Sequence, residues 1–338
     1  MDTLFNKIKE LKDESLRSKH EQLVTGIINV INDKTLKKGD RLPSINNMVV
    51  GVGFARKTIV RAYEELKNRG LVESKNSKGY YISNTNTKVK LKVALLLFAF
   101  HSFQEDFYNT FRKELGKKYH IDIFFHHNNL DVFKNIVNTV SGKYGMYVIA
   151  PIPVPEMQSI LKDIPSEKLL IVDRFIEMSH EYSYISQEFE QSTYKRLEEL
   201  LPAINKYTKM ILFYKEDADY PEGIKNAFSR FIKAYNVNGS IEKKYKQGSV
   251  KSNTLYFFIS DTHLWQVLRD CKYADYTIGK DVGILAHNDN AVKEIIFGGI
   301  TTISADFRKM AQESAAFVKH QTRIHRIIPS ETKRRNSL

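Results

Sequence analysis

The chain has 338 residues, 42% of them hydrophobic, which is enough for two or three domains and excludes wholesale disorder. Its formal charge of +13 suits a polyanionic partner, and the excess is uneven: residues 1–90 hold 18 Lys+Arg against 10 Asp+Glu, residues 91–338 hold 34 against 29. Cys271 is the only cysteine, which excludes an internal disulfide framework and any multi-cysteine metal site. The charged N-terminus lacks an apolar signal core, and the apolar run from Val93 to Phe100 is far shorter than the roughly 20 residues of a membrane helix. A cytoplasmic protein without metal or cofactor is expected.

Residues 21–32 place Leu23, Ile27, Ile28 and Ile31 at spacings of three and four, the period of an amphipathic helix. Gly39 and Asp40 make a turn, and Ser44 suits the N-cap of a short helix over 45–50 that Gly51-Val52-Gly53 breaks. The next helix carries Ile59, Ala62, Tyr63 and Leu66 on one face and stops at Gly70. Its first turn holds Arg56, Lys57 and Thr58, although the positive end of a helix dipole favours acids. The matching negative charge is therefore expected from outside the chain. Leu71–Glu73 and Tyr80–Ile82 read as short strands with a turn at Ser77, Lys78 and Gly79. Helix, helix, turn, helix, hairpin is the order of a winged helix-turn-helix, here over 1–84. A polar linker over 85–91 follows.

From Lys92 the pattern alternates. Strands are expected at Val93–Phe98, Ile121–Phe125, Tyr147–Ala150, Leu169–Val172, Met210–Phe213, Leu255–Ile259 and Val282–Leu285. Helices are expected near 105–118, 130–142, 156–163, 187–201, 221–235, 262–272 and 289–297. Such alternation implies an α/β body with parallel sheets, and the number of strands fits two lobes better than one sheet.

In the winged-helix reading, Arg56 is the candidate for a bidentate guanine contact. Lys57, Thr58 and Arg61 would hold phosphates or further bases, with Ser44 beside them. Lys78 and Gly79 at the wing tip would reach the adjacent minor groove or backbone. The competing reading is a set of solvated charges, which the order of turn, cap and glycine-tipped wing disfavours.

Gly39 to Ser44, the helix from Ala55 to Leu66 and the wing from Ser77 to Ile82 resemble the GntR (gluconate-repressor) winged helix. The resemblance covers about 15–84 and implies a bacterial transcription factor that binds DNA as a dimer. Val60 stands where many members carry arginine. The rest is similar, more loosely, to the lactose-repressor and periplasmic sugar-binding fold. The segments that carry this are Ile149–Pro151, Leu170–Arg174, Ile259–Asp261, Ala286–Asp289, Thr301–Phe307 and the tail from Ile328-Pro329-Ser330 through Arg335-Asn336-Ser337. Such a head on such a body looks like the arabinose-repressor type. The resemblance implies a periplasmic-binding-protein-like effector-binding and dimerisation domain over 92–338. Lobe 1 would span about 92–184 and 304–330, lobe 2 about 185–303 and 331–338.

The fold implies a small sugar between the lobes, at the carboxyl ends of strands. His101, Ser102 and Phe103 follow the first strand, Asp173 and Arg174 a later one, and Asp261 and Asn288 follow strands of the second lobe. Tyr220 stands where the lactose repressor has arginine, and Ala305 where it has a polar residue. Plainer roles compete: an Asp173–Arg174 ion pair, Asp261 as a helix N-cap, Asn288 in a turn, His101 in a solvent-exposed loop. Phe107 reads as helix core, and Trp265 as core rather than sugar platform. A pentose or deoxyhexose such as arabinose or fucose fits the family. The expected function is a dimeric, sugar-responsive repressor of operator DNA. Two alternatives are a Rossmann-like sugar or phosphosugar enzyme with an accessory winged helix, and a ligand-independent architectural DNA binder. No phosphate-binding loop, serine-hydrolase elbow, zinc-protease motif or dinucleotide fingerprint supports the enzyme. The adjacent His126 and His127 would diverge on a strand and not share a metal.

Overall fold

The computed structural model describes residues 2–11, 18–75, 78–85, 87, 91–216 and 219–338. The turn expected at Ser77 and most of the expected linker lie outside the described residues.

The head is built on α1 (Asp2–Glu10), α2 (Lys19–Asn32), α3 (Ile45–Val52) and α4 (Arg56–Asn68), followed by β1 (Val72–Lys75) and β2 (Gly79–Ile82). α1 has no counterpart among the expected elements. It packs on α2 at Gly26, where an added Cβ would lie 2.5 Å from Ile8 Cγ1. Ser18 and Glu21 close a capping box on α2. Ser44 caps α3, its hydroxyl accepting the Asn47 N–H at 3.1 Å. α3 is longer than the glycines suggest. It runs through Gly51 and ends at Gly53, whose φ is +70°. Gly51 stays helical because the Phe5 ring lies over it, in space that a Cβ would enter at 2.5 Å. α4 buries Ile59, Ala62, Tyr63 and Leu66, as its period requires. The Tyr63 hydroxyl donates to Pro43 O at 2.8 Å and ties α4 to the segment before α3. β1 and β2 pair antiparallel, and Arg41 bridges Tyr81 to widen the wing.

The first lobe of the body runs through β3 (Leu91–Leu97), α5 (Ser102–Leu115), β4 (Tyr119–Phe125), α6 (Leu130–Val140), β5 (Met146–Ile149), α7 (Met157–Leu161), β6 (Leu169–Asp173) and β7 (Ser183–Gln187). The second runs through α8 (Glu190–Ile204), β8 (Lys209–Phe213), α9 (Glu222–Ala234), β9 (Gly239–Glu242), β10 (Thr254–Phe258), α10 (Asp261–Tyr273), β11 (Val282–His287), α11 (Ala291–Ile295) and β12 (Thr301–Ala305). The chain then returns to the first lobe as α12 (Phe307–His320) and β13 (His325–Ile328), and ends in the second with β14 (Ser330–Lys333). The sheet orders are β4-β3-β5-β6-β7-β13 and β9-β8-β10-β11-β12-β14. Every pairing in them is parallel except β12 with β14. Both are doubly wound sheets, whose ligand crevices lie at the carboxyl ends of the strands. The chain crosses between lobes after Gln187, at Asp306 and at Pro329, so the two sheets share a hinge.

The tail locks the second lobe. Buried Ser337 accepts from Thr301 N at 2.8 Å and donates to Ile284 O at 2.7 Å. Arg335 grips Asp289 through two bonds of 2.8 and 2.9 Å, and Lys333 adds one of 2.9 Å. Burial alone would raise the Asp289 pKa, but the bonds from Arg335, Lys333 and Thr302 hold it down at about 2. Gly279, at φ +86°, lets the tail pass: an added Cβ would sit 1.9 Å from Asn336 O.

Two outcomes follow from this lock. Gly279→Ala is expected to cost about 2 kcal/mol or more in a urea melt, from left-handed strain plus displacement of the tail. Asp289→Asn is expected to cost about 1–2 kcal/mol at pH 7, allowing for partial solvent screening. A depressed carboxylate contributes stability above its unfolded pKa and loses it as pH falls through the folded value. The gap between wild type and Asp289→Asn should therefore be full above about pH 4 and close toward pH 2. A constant gap across a pH series of melts would remove the ion-pair explanation.

Candidate functional site

The head presents one cationic end. Arg56, Lys57, Arg61 and Lys78 are exposed, and Thr58 is half-buried. Ala55 gives α4 no side-chain cap and the first turn holds no acid, so the helix itself does not neutralise that end. Arg56 donates to the Asn46 side chain of α3, which aims its guanidinium along the α3–α4 face. Ser44 spends an acceptor lone pair on its cap and keeps its O–H for another partner. Gly79, at φ +99°, lets the wing run beside Arg41, whose Nε would lie 3.4 Å from an added Cβ. Arg41 is exposed and joins the cationic face, a role the sequence pattern did not suggest because its turn was read for Gly39 and Asp40.

A cavity of about 370 Å³ lies between the lobes. All eight effector candidates line it: His101, Ser102, Phe103, Asp173, Arg174, Tyr220, Asp261 and Asn288. His101 N-caps α5 and stacks between Phe98 and Phe103, at centroid distances of 5.8 and 5.7 Å. The residue is still exposed, and partial burial of its ring lowers its pKa. Asp173 ends β6 in the left-handed region, φ +66°, and accepts from the Gln187 amide. Arg174 does not pair with Asp173. It crosses to Asp219 of the second lobe, 3.2 Å from the carboxylate and 3.0 Å from the backbone oxygen, and lies 5.1 Å over the Phe189 ring. Burial raises the Asp219 pKa to about 6, and Asp173 adds to this while Arg174 opposes it.

Asp261 is not the cap of α10. Ser260 is, accepting from Thr262 N at 3.2 Å, and Asp261 is the first helical residue. This frees its carboxylate for Lys293 Nζ at 2.6 Å and Asn290 Nδ2 at 3.3 Å. Lys293 is almost wholly buried and also donates to His287 O and Asn288 O, at 3.0 and 2.7 Å. Burial lowers its pKa while Asp261 raises it. Asn290 makes a second cross-lobe contact, to Ser102 Oγ at 3.1 Å. Asn288 takes φ +56°, its backbone N–H donates to Ile303 O at 2.9 Å, and its side-chain oxygen makes no bond to the loop. His287 is neutral near pH 7: burial, then Lys293 and Arg174, push its pKa down to about 3. The side-chain atoms Gln187 Oε1, His287 Nδ1 and Asn288 Oδ1 are buried without a hydrogen-bond partner. Such groups are costly unless something bonds them, and these belong to cavity-lining residues.

Trp265 is a correction. It is 38% exposed and lines the cavity instead of the core, because α10 buries Leu264, Val267, Leu268 and Cys271 and turns position 265 away. Phe107 is core, as expected. Gln187, Asp219, His287, Asn290 and Lys293 were not singled out from sequence. His126 is a satisfied core residue, its ring nitrogens on Ala150 O and Asn128 N at 3.0 and 3.2 Å. Among the described residues no cluster of three His, Cys, Asp or Glu is placed to hold a metal, and no helix is long and apolar enough to cross a membrane.

Residues 19–82 match the family model described as "Bacterial regulatory proteins, gntR family". The chain is 35% identical over 72 residues to the uncharacterized HTH-type transcriptional regulator YcxD of Bacillus subtilis, covering 21% of this chain and 16% of that protein. It is 35% identical over 63 residues to the HTH-type transcriptional regulator Rv1152 of Mycobacterium tuberculosis, covering 19% and 52%. The chain thus spans about half or less of the length of these curated relatives. Among solved structures, a LacI family transcriptional regulator from Lactobacillus casei with bound glucose superposes with a TM-score of 0.62 at 14% identity, over 73% of this chain and 99% of that one. The trehalose repressor from Escherichia coli gives 0.61 at 10% identity, over 72% and 99%. The chain therefore carries a gntR-family helix-turn-helix toward its N-terminal end, joined to a two-lobed body with the fold of LacI-family regulators.

Proposed function

We propose that this protein is a DNA-binding transcriptional regulator, a cytoplasmic homodimeric repressor whose grip on a pseudopalindromic operator is set by a small sugar in the cleft. The observation that carries this is the uncapped, acid-free, cationic start of α4 on a gntR-type head, coupled to a polar cleft at the strand ends of two hinged lobes. Arg56 reads a base edge; Lys57, Thr58, Arg61, Ser44 and the wing residues Lys78 and Gly79 hold the backbone. Neutralised phosphates supply affinity and make it fall with salt. Two-fold symmetry favours a two-fold site. A pentose or deoxyhexose is the family's expectation, and the glucose-bound neighbour supports a sugar in this kind of cleft. Relatives and neighbours are named as regulators, which speaks for regulation over catalysis.

The two sites are joined through β6. Lys168, just before this strand, donates to Asn68 at 3.1 Å and lies 3.7 Å from Glu64, both on α4. Gly145 packs beside it, where an added Cβ would lie 3.0 Å from Asn68 Cβ. At the other end of the strand stand Asp173 and Arg174. A five-residue strand spans about 17 Å as a stiff element. Sugar on Asp173 and Arg174 changes how the lobes close; Lys168 passes the change to the foot of the DNA-reading helix. Linkage makes the effect reciprocal, typically 1–3 kcal/mol.

Arg56→Ala is expected to weaken binding to duplex DNA selected by the wild type from a random pool by about 1–3 kcal/mol, and to lose preference at one base position. Wild-type affinity in a fluorescence-anisotropy titration would refute the role of Arg56. Lys168→Ala is expected to keep both DNA and sugar binding but to shrink the change in DNA affinity that sugar produces. An undiminished change would exclude this joint as the route.

A further inference from the structure

The cleft contains its own counter-ions. Among its lining residues the cations are Arg174 and Lys293, and each already faces a carboxylate, Asp219 at 3.2 Å and Asp261 at 2.6 Å. A third carboxylate, Asp173, has the Gln187 amide on it and no cation of its own among the bonds described. His287 adds no positive charge near neutral pH. The helix ends that open here do not offer a free positive pole either: α10 begins with Asp261 and α5 carries Glu105 in its first turn. The unpartnered Gln187 Oε1 and Asn288 Oδ1 are acceptors, and acceptors are satisfied by donors. A phosphate dianion or a carboxylate brings acceptors and negative charge, so it would enter among three carboxylates where the charge of each cation is already balanced. A hydroxyl donates one hydrogen bond and carries no charge.

We propose that the effector is an uncharged, unphosphorylated sugar or polyol, and that Asp219 and Asp261, by holding Arg174 and Lys293, make the cleft reject phosphorylated sugars. This rests on reading the cleft as the sugar site. It also assigns the two carboxylates a selective role: they stabilise the cations and deny them to an anionic ligand.

The test is isothermal titration calorimetry on the full-length protein at pH 7.5. The probes are L-arabinose, L-fucose, D-xylose, D-ribose and D-glucose beside ribose 5-phosphate, xylulose 5-phosphate, glucose 6-phosphate and inorganic phosphate. At least one free sugar should bind, with any phosphorylated counterpart weaker by about 100-fold or more, as expected for an unpaired charge placed in a desolvated site. The double variant Asp219→Asn with Asp261→Asn, which frees both cations, should narrow that gap at least about tenfold. A phosphosugar that binds wild type as tightly as its parent sugar overturns the inference and leaves the sugar site standing. Binding by no member of either set overturns the sugar reading and the inference with it. Should the double variant not fold by circular dichroism, the wild-type ratio alone decides.

Discussion

Arg174 leaves one lobe at the end of β6 and is held by Asp219 of the other, and that ion pair ties the lobes across the cleft. It is an expensive tie. Burial and the neighbouring Asp173 push the Asp219 pKa up to about 6, so the pair is compensated by only part of what its desolvation costs. Asn290 on Ser102 is the other cross-cleft bond described, and it is a single neutral one. The lobes are thus tied across the cleft by few bonds. A molecule that donates to Asp173 would weaken the repulsion between the two carboxylates and favour closure. On the proposed reading, that is where the differential interaction required by a population shift would arise.

The position of β6 offers the proposed closure a route to the head. Strands of a doubly wound sheet have their carboxyl ends at the ligand and their amino ends at the opposite edge. Lys168, Gly145 and Lys92 all sit at that far edge, where α4 ends at Asn68 and Gly70 follows it. The cationic start of α4 then points away from the body. One helix carries both functions, contact with the body at its C-terminal end and an uncapped positive end for an external anion. Glu64 and Asn68 make the first contact, and on the proposed reading Arg56 and Lys57 would serve the second.

What the sequence disclosed and what it hid divide along a physical line. Residues that follow an apolar strand run are legible, because strand ends are where α/β sheets bind ligands; His101, Asp173, Asp261 and Asn288 were found that way. Their partners were not. Asp219 lies in a loop whose meaning appears only when Arg174 reaches it from another lobe. Lys293 reads as an ordinary surface lysine of a short helix until the fold buries it on Asp261. Gln187 ends a strand, Ser183–Gln187, that has polar residues and no apolar run to announce it. Trp265 was misplaced because spacing along α10 shows which face is apolar, not that the next face opens on a cavity. Gly51 was misread for a related reason: low helix propensity yields to a tertiary contact, here the Phe5 ring of a helix that was itself not foreseen.

Three consecutive residues show how tightly stability and function are joined here. Asn288 turns at φ +56° with its side-chain oxygen unbonded, Asp289 is clamped by Arg335 and Lys333 of the tail, and Asn290 caps α11 while reaching Ser102 across the cleft. A left-handed turn at a non-glycine residue is costly, and it persists because its neighbours over-determine it. The tail clamp on Asp289 is one such determinant, and Lys293, bonded to the carbonyls of His287 and Asn288, is the other. Release of the tail would therefore loosen more than the second lobe's edge. It would let Asn288 relax toward an ordinary backbone, withdraw an acceptor from the cleft and slacken the Asn290 bridge. Lys333 and Arg335, far from residues 288–290 in sequence, thus hold the loop that lines the cleft and bridges it to Ser102.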